Sequence, residues 1–305
     1  MNVRNPLLSR RDLLATAATA SAVSSLLSPP ARSHPPQAEA PPATASSPRR
    51  TIVDTNVSLF QWPFRRLPLD NAAALVKKLR ALGIVQAWAG SFEAMLHRDL
   101  AGVNQRVVET CEQYPELLPI GSINPELPDW KRDLDRCIND YRTLGIRLYP
   151  NYHGYTLRDL RFTELLERAT TAKRFVQITV TMEDTRTQHP LVCVEDVDLA
   201  PLAQQMQSVP GAQVQLLGAR PRSPLLASLA KIPGISFDTS RVDGTDGIAH
   251  WLQTISADRL MFGTHAPFLI PEASLIRVYE SNLDEAGLCG LLSENAIRLS
   301  RHTDS

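Results

Sequence analysis

The chain has 305 residues, 43% of them hydrophobic and 21% charged, enough apolar material for one domain of about 250 residues or two smaller ones. Residues 1–50 hold 6 Lys/Arg against 2 Asp/Glu, leaving 26 against 30 and a net charge of −4 for the remainder, which argues against a nucleic-acid binder, whose phosphate contacts need a basic stripe. Cys111, Cys137, Cys193 and Cys289 stand far apart with no Cys-x-x-Cys pair, so neither a disulfide framework nor a structural zinc site is expected, and buried free thiols fit better.

In chain order the first element is Ser9-Arg10-Arg11-Asp12 followed by the uncharged run LLATAATASAVSSLLS, 16 residues long and rich in alanine. It is short and weakly apolar for a bilayer span and has the form of a twin-arginine export signal. Residues 1–28 are therefore expected to engage the twin-arginine export machinery and deliver the protein to the periplasm or another extracytoplasmic space. Residues 29–50 carry seven prolines and no apolar periodicity, the composition of a stiff, solvated linker. The folded domain is expected over 51–305.

From Thr51 short apolar runs alternate with longer helical patterns. Strands are expected over 51–58, 83–89, 117–123, 145–150, 174–180, 212–218, 234–240 and 259–265, and helices over 69–82, 101–114, 128–142, 158–172, 198–208, 222–231, 246–256 and 271–280. Strand followed by helix, eight times over, is the count and size of a (β/α)₈ TIM barrel, an α/β fold. Residues 282–299 add two short helical stretches as a C-terminal extension. In strand after strand one parity is apolar and the other carries polar groups, such as Asp54, Asn56 and Ser58, then Arg147, Gln177, Gln213 and Gln215, and Asp238. A closed barrel explains this, because helices cover the outside while the inside opens into a site at the top.

The carboxyl ends of the strands carry the candidate site. His265 closes the eighth strand in Gly263-Thr264-His265-Ala266-Pro267, where an imidazole serves acid/base work or, when neutral, ligates a metal. Asp54 can orient it or take part in proton transfer, and together these two are the catalytic candidates. Asn56, Arg147, Tyr149, Gln177, Thr179 and Asp238 are the candidates for substrate binding. Arg147 sits in an otherwise apolar strand and demands a partner. Two readings stand for it: internal pairing with Asp54 or Asp238, or recognition of a substrate carboxylate. The loops after the fourth and fifth strands add His153, and then Glu183, Asp184, Arg186 and His189; dense charge in a long βα loop is often functional.

The strings VDTNVSLFQWPFR at 53–65, GIRLYP at 145–150, LMFGTHAP at 260–267 and SENAIRL at 293–299 resemble the amidohydrolase superfamily, specifically its amidohydrolase-related branch of metal-dependent hydrolases and decarboxylases, over practically the whole folded body. The resemblance implies a (β/α)₈ barrel with one or two divalent metals, commonly zinc, that activate water or support decarboxylation. It also implies metal ligands at set positions. The first strand of that family ends Asp-x-His-x-His, where this chain has Asp54, Asn56 and Ser58. The fifth strand ends in histidine, where this chain offers Gln177 or Thr179. The sixth supplies another histidine, and QVQLLGA has none. The eighth has an aspartate after Gly-Thr, and here stands His265. Neutral amides and hydroxyls are poor zinc ligands, so zinc or another divalent metal would need a relocated site, for which His153, His189, Asp184 and His265 are the weak candidates.

Functions from two classes follow. One is a hydrolase acting on a small polar, carboxylated substrate, with metal-activated water and proton transfer by His265 and Asp54. The other is a metal-free ligand-binding or inactive barrel, or a decarboxylase-type lyase. The sequence leaves a homo-oligomer open.

Overall fold

A computed structural model describes residues 50–302 except Arg222. The export signal expected over 1–28 and the linker up to residue 49 lie outside the described residues. Nine parallel strands follow one another: β1 (Ile52–Leu59), β2 (Ile84–Ser91), β3 (Leu117–Pro119), β4 (Gly121–Ser122), β5 (Gly145–Leu148), β6 (Phe175–Thr179), β7 (Val214–Leu217), β8 (Ile235–Asp238) and β9 (Leu260–Met261). β3 and β4 are halves of the third expected strand, interrupted at Ile120, whose N–H still donates to the Ala89 carbonyl at 2.9 Å.

The circle closes where β1 meets the chain beyond β9. Thr55 N–H donates to Phe262 O and Ser58 N–H to Ala266 O, each at 2.9 Å, and Val57 bridges Ala266 in parallel. The result is a (β/α)₈ barrel with helices appended at its C-terminus.

The helices pack outside because each presents one apolar stripe. In the helix Leu160–Thr171 Phe162, Leu165, Leu166 and Ala169 are buried, and the Asp159 side chain caps the first turn by accepting from Arg161 N–H at 2.9 Å. Burying a side chain of the Leu or Phe kind contributes about 1.5–3 kcal/mol. The helix expected over 128–142 departs from the pattern: after the helix Trp130–Asp135 the chain widens into a π turn, with Tyr141 N–H donating to Arg136 O at 2.9 Å. The C-terminal extension forms short helices at Glu285–Cys289 and Asn295–Arg301.

The amino-terminal end of the barrel is plugged by apolar side chains. Val53, Trp88, Phe175 and Met261 meet there and are covered by Ala296 and Leu299, with the Trp88 and Phe175 rings stacked at 4.9 Å. Polar side chains fill the middle, and the carboxyl mouth lies above them. A second apolar cluster, including Trp62, Phe92, Tyr149 and Met182, covers that mouth, with Phe64, Tyr152 and Phe268 packed against it.

Candidate functional site

Register brings Arg147, Gln177 and Gln215 side by side on β5, β6 and β7. Arg147 Nε–H donates to Gln177 Oε1 at 2.8 Å, Gln177 Nε2–H to Gln215 Oε1 at 2.7 Å, Gln215 Nε2–H to Thr55 Oγ1 at 2.8 Å, and Thr55 O–H to Phe262 O at 3.0 Å. Arg147 also donates through Nη1 to Val57 O at 2.9 Å and Ser58 Oγ at 3.4 Å, and through Nη2 to Trp88 O at 3.4 Å. Every one of these acceptors is neutral. The Arg147 guanidinium, 1% exposed, has neither Asp54 nor Asp238 among its hydrogen-bond partners and is satisfied by amide, hydroxyl and carbonyl oxygens. Gly90 makes room for it, since a Cβ there would lie 2.9 Å from Nη1.

Two buried carboxyl groups stand on the next layer. Asp54 accepts from Thr264 N–H at 2.9 Å, from the Thr264 hydroxyl at 2.5 Å and from Asn56 N–H at 3.1 Å. Burial pushes its carboxyl up to about 7 against those hydrogen bonds, and the charge of Asp238 adds to the rise. Asp238 accepts from Asn56 Nδ2–H at 2.7 Å and Gly218 N–H at 2.8 Å. It too is raised by burial. A Cβ at Gly263 would come within 2.7 Å of its Oδ2, so glycine there lets the chain beyond β9 approach Asp238 closely.

His265 follows β9 with φ of +58°, a left-handed conformation uncommon outside glycine and frequent at functional sites. Its ring stacks on Phe268 at 5.1 Å, is 2% exposed and keeps a buried Nδ1 without a partner. Burial first, then the charges of Arg241 and Arg147, hold this imidazole well below its ordinary range. Burial thus favours the neutral imidazole, and it favours the protonated form of both Asp54 and Asp238. Thr179 Oγ1 at the end of β6, Thr181 Oγ1 and Trp62 Nε1 are likewise buried without partners. Over them Trp62 packs edge-on against Phe92 and Phe268 at 5.6 and 5.3 Å. Arg65 lies over the Phe268 ring at 4.7 Å and pairs with Glu183, tying the loop after β1 to the loop after β6.

The remaining candidates are dispersed. Tyr149, buried, donates its hydroxyl to Ser91 O at 3.3 Å. His153 Nε2 lies 2.9 Å from Ala94 O; a carbonyl only accepts, so Nε2 carries the proton, and Nδ1 is buried without a partner. His189 is exposed and stacks on Phe64 at 5.0 Å. Asp184 binds Arg186 through both oxygens at 2.9 and 2.8 Å, and this partner holds its carboxyl below the usual range.

Among the described residues no group of three or more His, Cys, Asp or Glu side chains is placed to share a metal ion. His153, His189, Asp184 and His265 thus assemble no relocated centre. At the positions where the resemblance implies ligands, Ser58 and Gln177 accept from Arg147 and Asn56 donates to Asp238. A zinc site needs three or four nitrogen, sulfur or carboxylate ligands, and these residues do not fit one.

Several residues of the site escaped the sequence reading. Thr55 faces the interior network although its parity is opposite to that of Asp54, because β1 carries a register shift between Asp54 and Val57. Thr264, one residue before His265, holds Asp54. Arg241, beyond the end of β8, donates to Met182 O at 2.7 Å and acts electrostatically on His265. A polar residue just past a strand end is the only sequence signal for it.

A closed parallel barrel with polar side chains gathered at its carboxyl mouth defines the class, a TIM-barrel protein of the metal-hydrolase architecture with an altered donor set. The amidohydrolase family profile matches residues 53–301, and the chain belongs to that family of enzymes, in the amidohydrolase-2 branch. No curated protein matches it. Among solved structures it is similar to 2,6-dihydroxybenzoate decarboxylase from Rhizobium, with 15% identity and a TM-score of 0.67 over 83% of this chain and 99% of the other. The 5-carboxyvanillate decarboxylase from Novosphingobium aromaticivorans, with bound manganese, gives 13% identity and a TM-score of 0.65 over 83% and 97%. An uncharacterized TIM-barrel protein from Bordetella bronchiseptica gives 14% and 0.64 over 84% and 100%. At these identities the likeness is one of fold.

Proposed function

We propose that the chain is a metal-independent member of its family that binds a small carboxylated compound at the barrel mouth. The observation that carries this reading is a contrast at the strand ends. The residues at the implied ligand positions on β1 and β6, Asn56, Ser58 and Gln177, are neutral and already bonded to Asp238 or Arg147, whereas His265 Nδ1 and Thr179 Oγ1 are buried and unpartnered. Buried polar atoms are satisfied in the great majority of cases, so two unpartnered ones at the carboxyl end of the barrel, one on β6 and one after β9, fit a ligand with hydrogen-bonding oxygens. The charges of Arg147 and Arg241 favour an anion there. Trp62, Phe92 and Phe268, packed edge to face, offer an apolar aromatic surface, which suits an aromatic acid of the kind named for the similar decarboxylases. Asn56, Tyr149, Gln177 and Asp238 serve in this reading by holding the mouth in shape.

The hydrolytic mechanism through metal-activated water has no donor set here. A decarboxylase-type lyase is the second reading, favoured by Asp54, which carries a proton up to about pH 7. In it the carbon–carboxylate bond breaks, carbon dioxide leaves, and an acid of this site protonates the ring carbon. At the amino-terminus, Ser9-Arg10-Arg11 supports delivery by the twin-arginine machinery; replacing both arginines with lysine should leave the protein in the cytoplasm, as fractionation would show.

Metal analysis of protein purified without chelator separates the branches. The expected outcome is zinc and manganese far below one per chain and no activity gained on adding either. Near-stoichiometric metal that disappears in His265→Ala would overturn the proposal.

A further inference from the structure

Between the loops that follow β7 and β8 lies a cavity of about 500 Å³ lined by Arg220, Arg241, Asp243, Thr245 and His250, a volume suited to a small molecule. Of the mouth residues described above it takes only Arg241. That guanidinium donates to Met182 O at 2.7 Å, and its Nε is buried without a partner. The nearby carboxylates have closer partners of their own: Asp243, at the cavity wall, pairs with Arg277 at 3.3 Å, and Asp184 binds Arg186 at 2.8 Å. Arg220 reaches Asp184 and Asp196 only at 3.9 and 3.8 Å. Burial first, then the charge of Arg220, disfavours the charged form of Arg241, while Asp243, Asp238 and Asp184 act the other way. Two guanidinium groups lining one cleft favour an anion between them.

We propose that this cavity is a second binding site, separate from the barrel mouth, for a doubly charged oxyanion such as the phosphate of a small phosphorylated compound, clamped between the guanidinium groups of Arg220 and Arg241. The planar fork of arginine matches the edge of a phosphate, which accepts two parallel hydrogen bonds. The open Nε of Arg241 supplies one donor, and the weakly held Arg220 is free to turn toward the ligand. Apart from the charge of Arg241, which both sites feel, the site does not depend on what the mouth binds.

Calorimetric titration of inorganic phosphate into the protein at constant ionic strength, with chloride as the blank, tests it. The expected result is saturable binding of one phosphate per chain, weakened about tenfold or more by Arg220→Met and by Arg241→Met, the loss of a charge-assisted pair of bonds, and unchanged in Thr179→Val. The Arg220 side chain is 46% exposed, so its variant keeps the fold, and near-ultraviolet circular dichroism verifies this. Absence of saturable binding, undiminished affinity in folded Arg220→Met, or loss of binding in Thr179→Val would each overturn the proposal. The last result would put the anion in the mouth, a failure distinct from any failure of the mouth to bind a carboxylate.

Discussion

At mid-barrel, Arg147, Gln177, Gln215 and Thr55 pass hydrogen bonds from one to the next until the Phe262 carbonyl accepts the last. Above them, at the carboxyl mouth, His265 Nδ1, Thr179 Oγ1 and Thr181 Oγ1 are just as buried and bonded to nothing. The same polar chemistry thus serves two ends. A buried network with every member satisfied stiffens and specifies a core, while a buried polar atom left open costs about 1–3 kcal/mol. That cost is tolerated where a ligand can remove it. The difference shows that burial and polarity alone do not mark a binding residue, and that an unfilled hydrogen bond does so only beside a mouth, since Trp88 Nε1 in the amino-terminal plug is unpartnered as well.

The comparison breaks most visibly at Arg147. Arg147→Met leaves Gln177 Oε1 and Val57 O without their donor, and a loss of about 1–3 kcal/mol for each acceptor left open is expected in urea unfolding. A loss below about 1 kcal/mol would mean that the middle layer is not structural. Gly90→Ala drives a methyl toward Nη1 and should cost about 1–3 kcal/mol.

The pH dependence sharpens the contrast next. The Asp54 carboxyl rises from 3.8 to about 7 on folding, so between those values the folded protein binds a proton that the unfolded chain releases. Its contribution to stability is complete below pH 4 and is lost as pH climbs to about 7, of order 4 kcal/mol in total. Asp54→Asn should flatten the unfolding free energy measured between pH 4 and 8, Asp238 accounting for the slope that remains. A slope equal to the wild type's would refute the assignment.

Thr179→Val probes the mouth in the opposite sense. Removing an unsatisfied hydroxyl should leave stability unchanged or raise it by up to about 1 kcal/mol, while ligand binding falls. A marked loss of stability would show that the hydroxyl is already satisfied. The smallest effect belongs to the half-exposed partner of Glu183: Arg65→Met should cost about 0–1 kcal/mol and speed proteolytic cleavage in the loop after β1.

Much of this organisation was legible in the chain. Apolar runs separated by helical patterns gave the strand order, and alternation along each strand sent Asp54, Asn56, Arg147, Gln177 and Asp238 to the interior. The replacement of histidines by Asn56 and Ser58 could be read once the family motif was recognised. What stayed hidden depends on departures from regularity. The register shift in β1 turned Thr55 inward, the break at Ile120 split a strand, and the guanidinium of Arg147 found neutral oxygens from four different places instead of a carboxylate. The pKa order reversed as well, because desolvation disfavours the charged form of both groups and so lowers His265 while raising Asp54.

A direct trial of the mouth is calorimetric titration of 2,6-dihydroxybenzoate into protein freed of metal by a chelator. A metal-independent carboxylate site gives saturable binding at one per chain that is unaffected by the chelator and lost in Thr179→Val and His265→Ala. Binding that appears only when zinc or manganese is restored would contradict it.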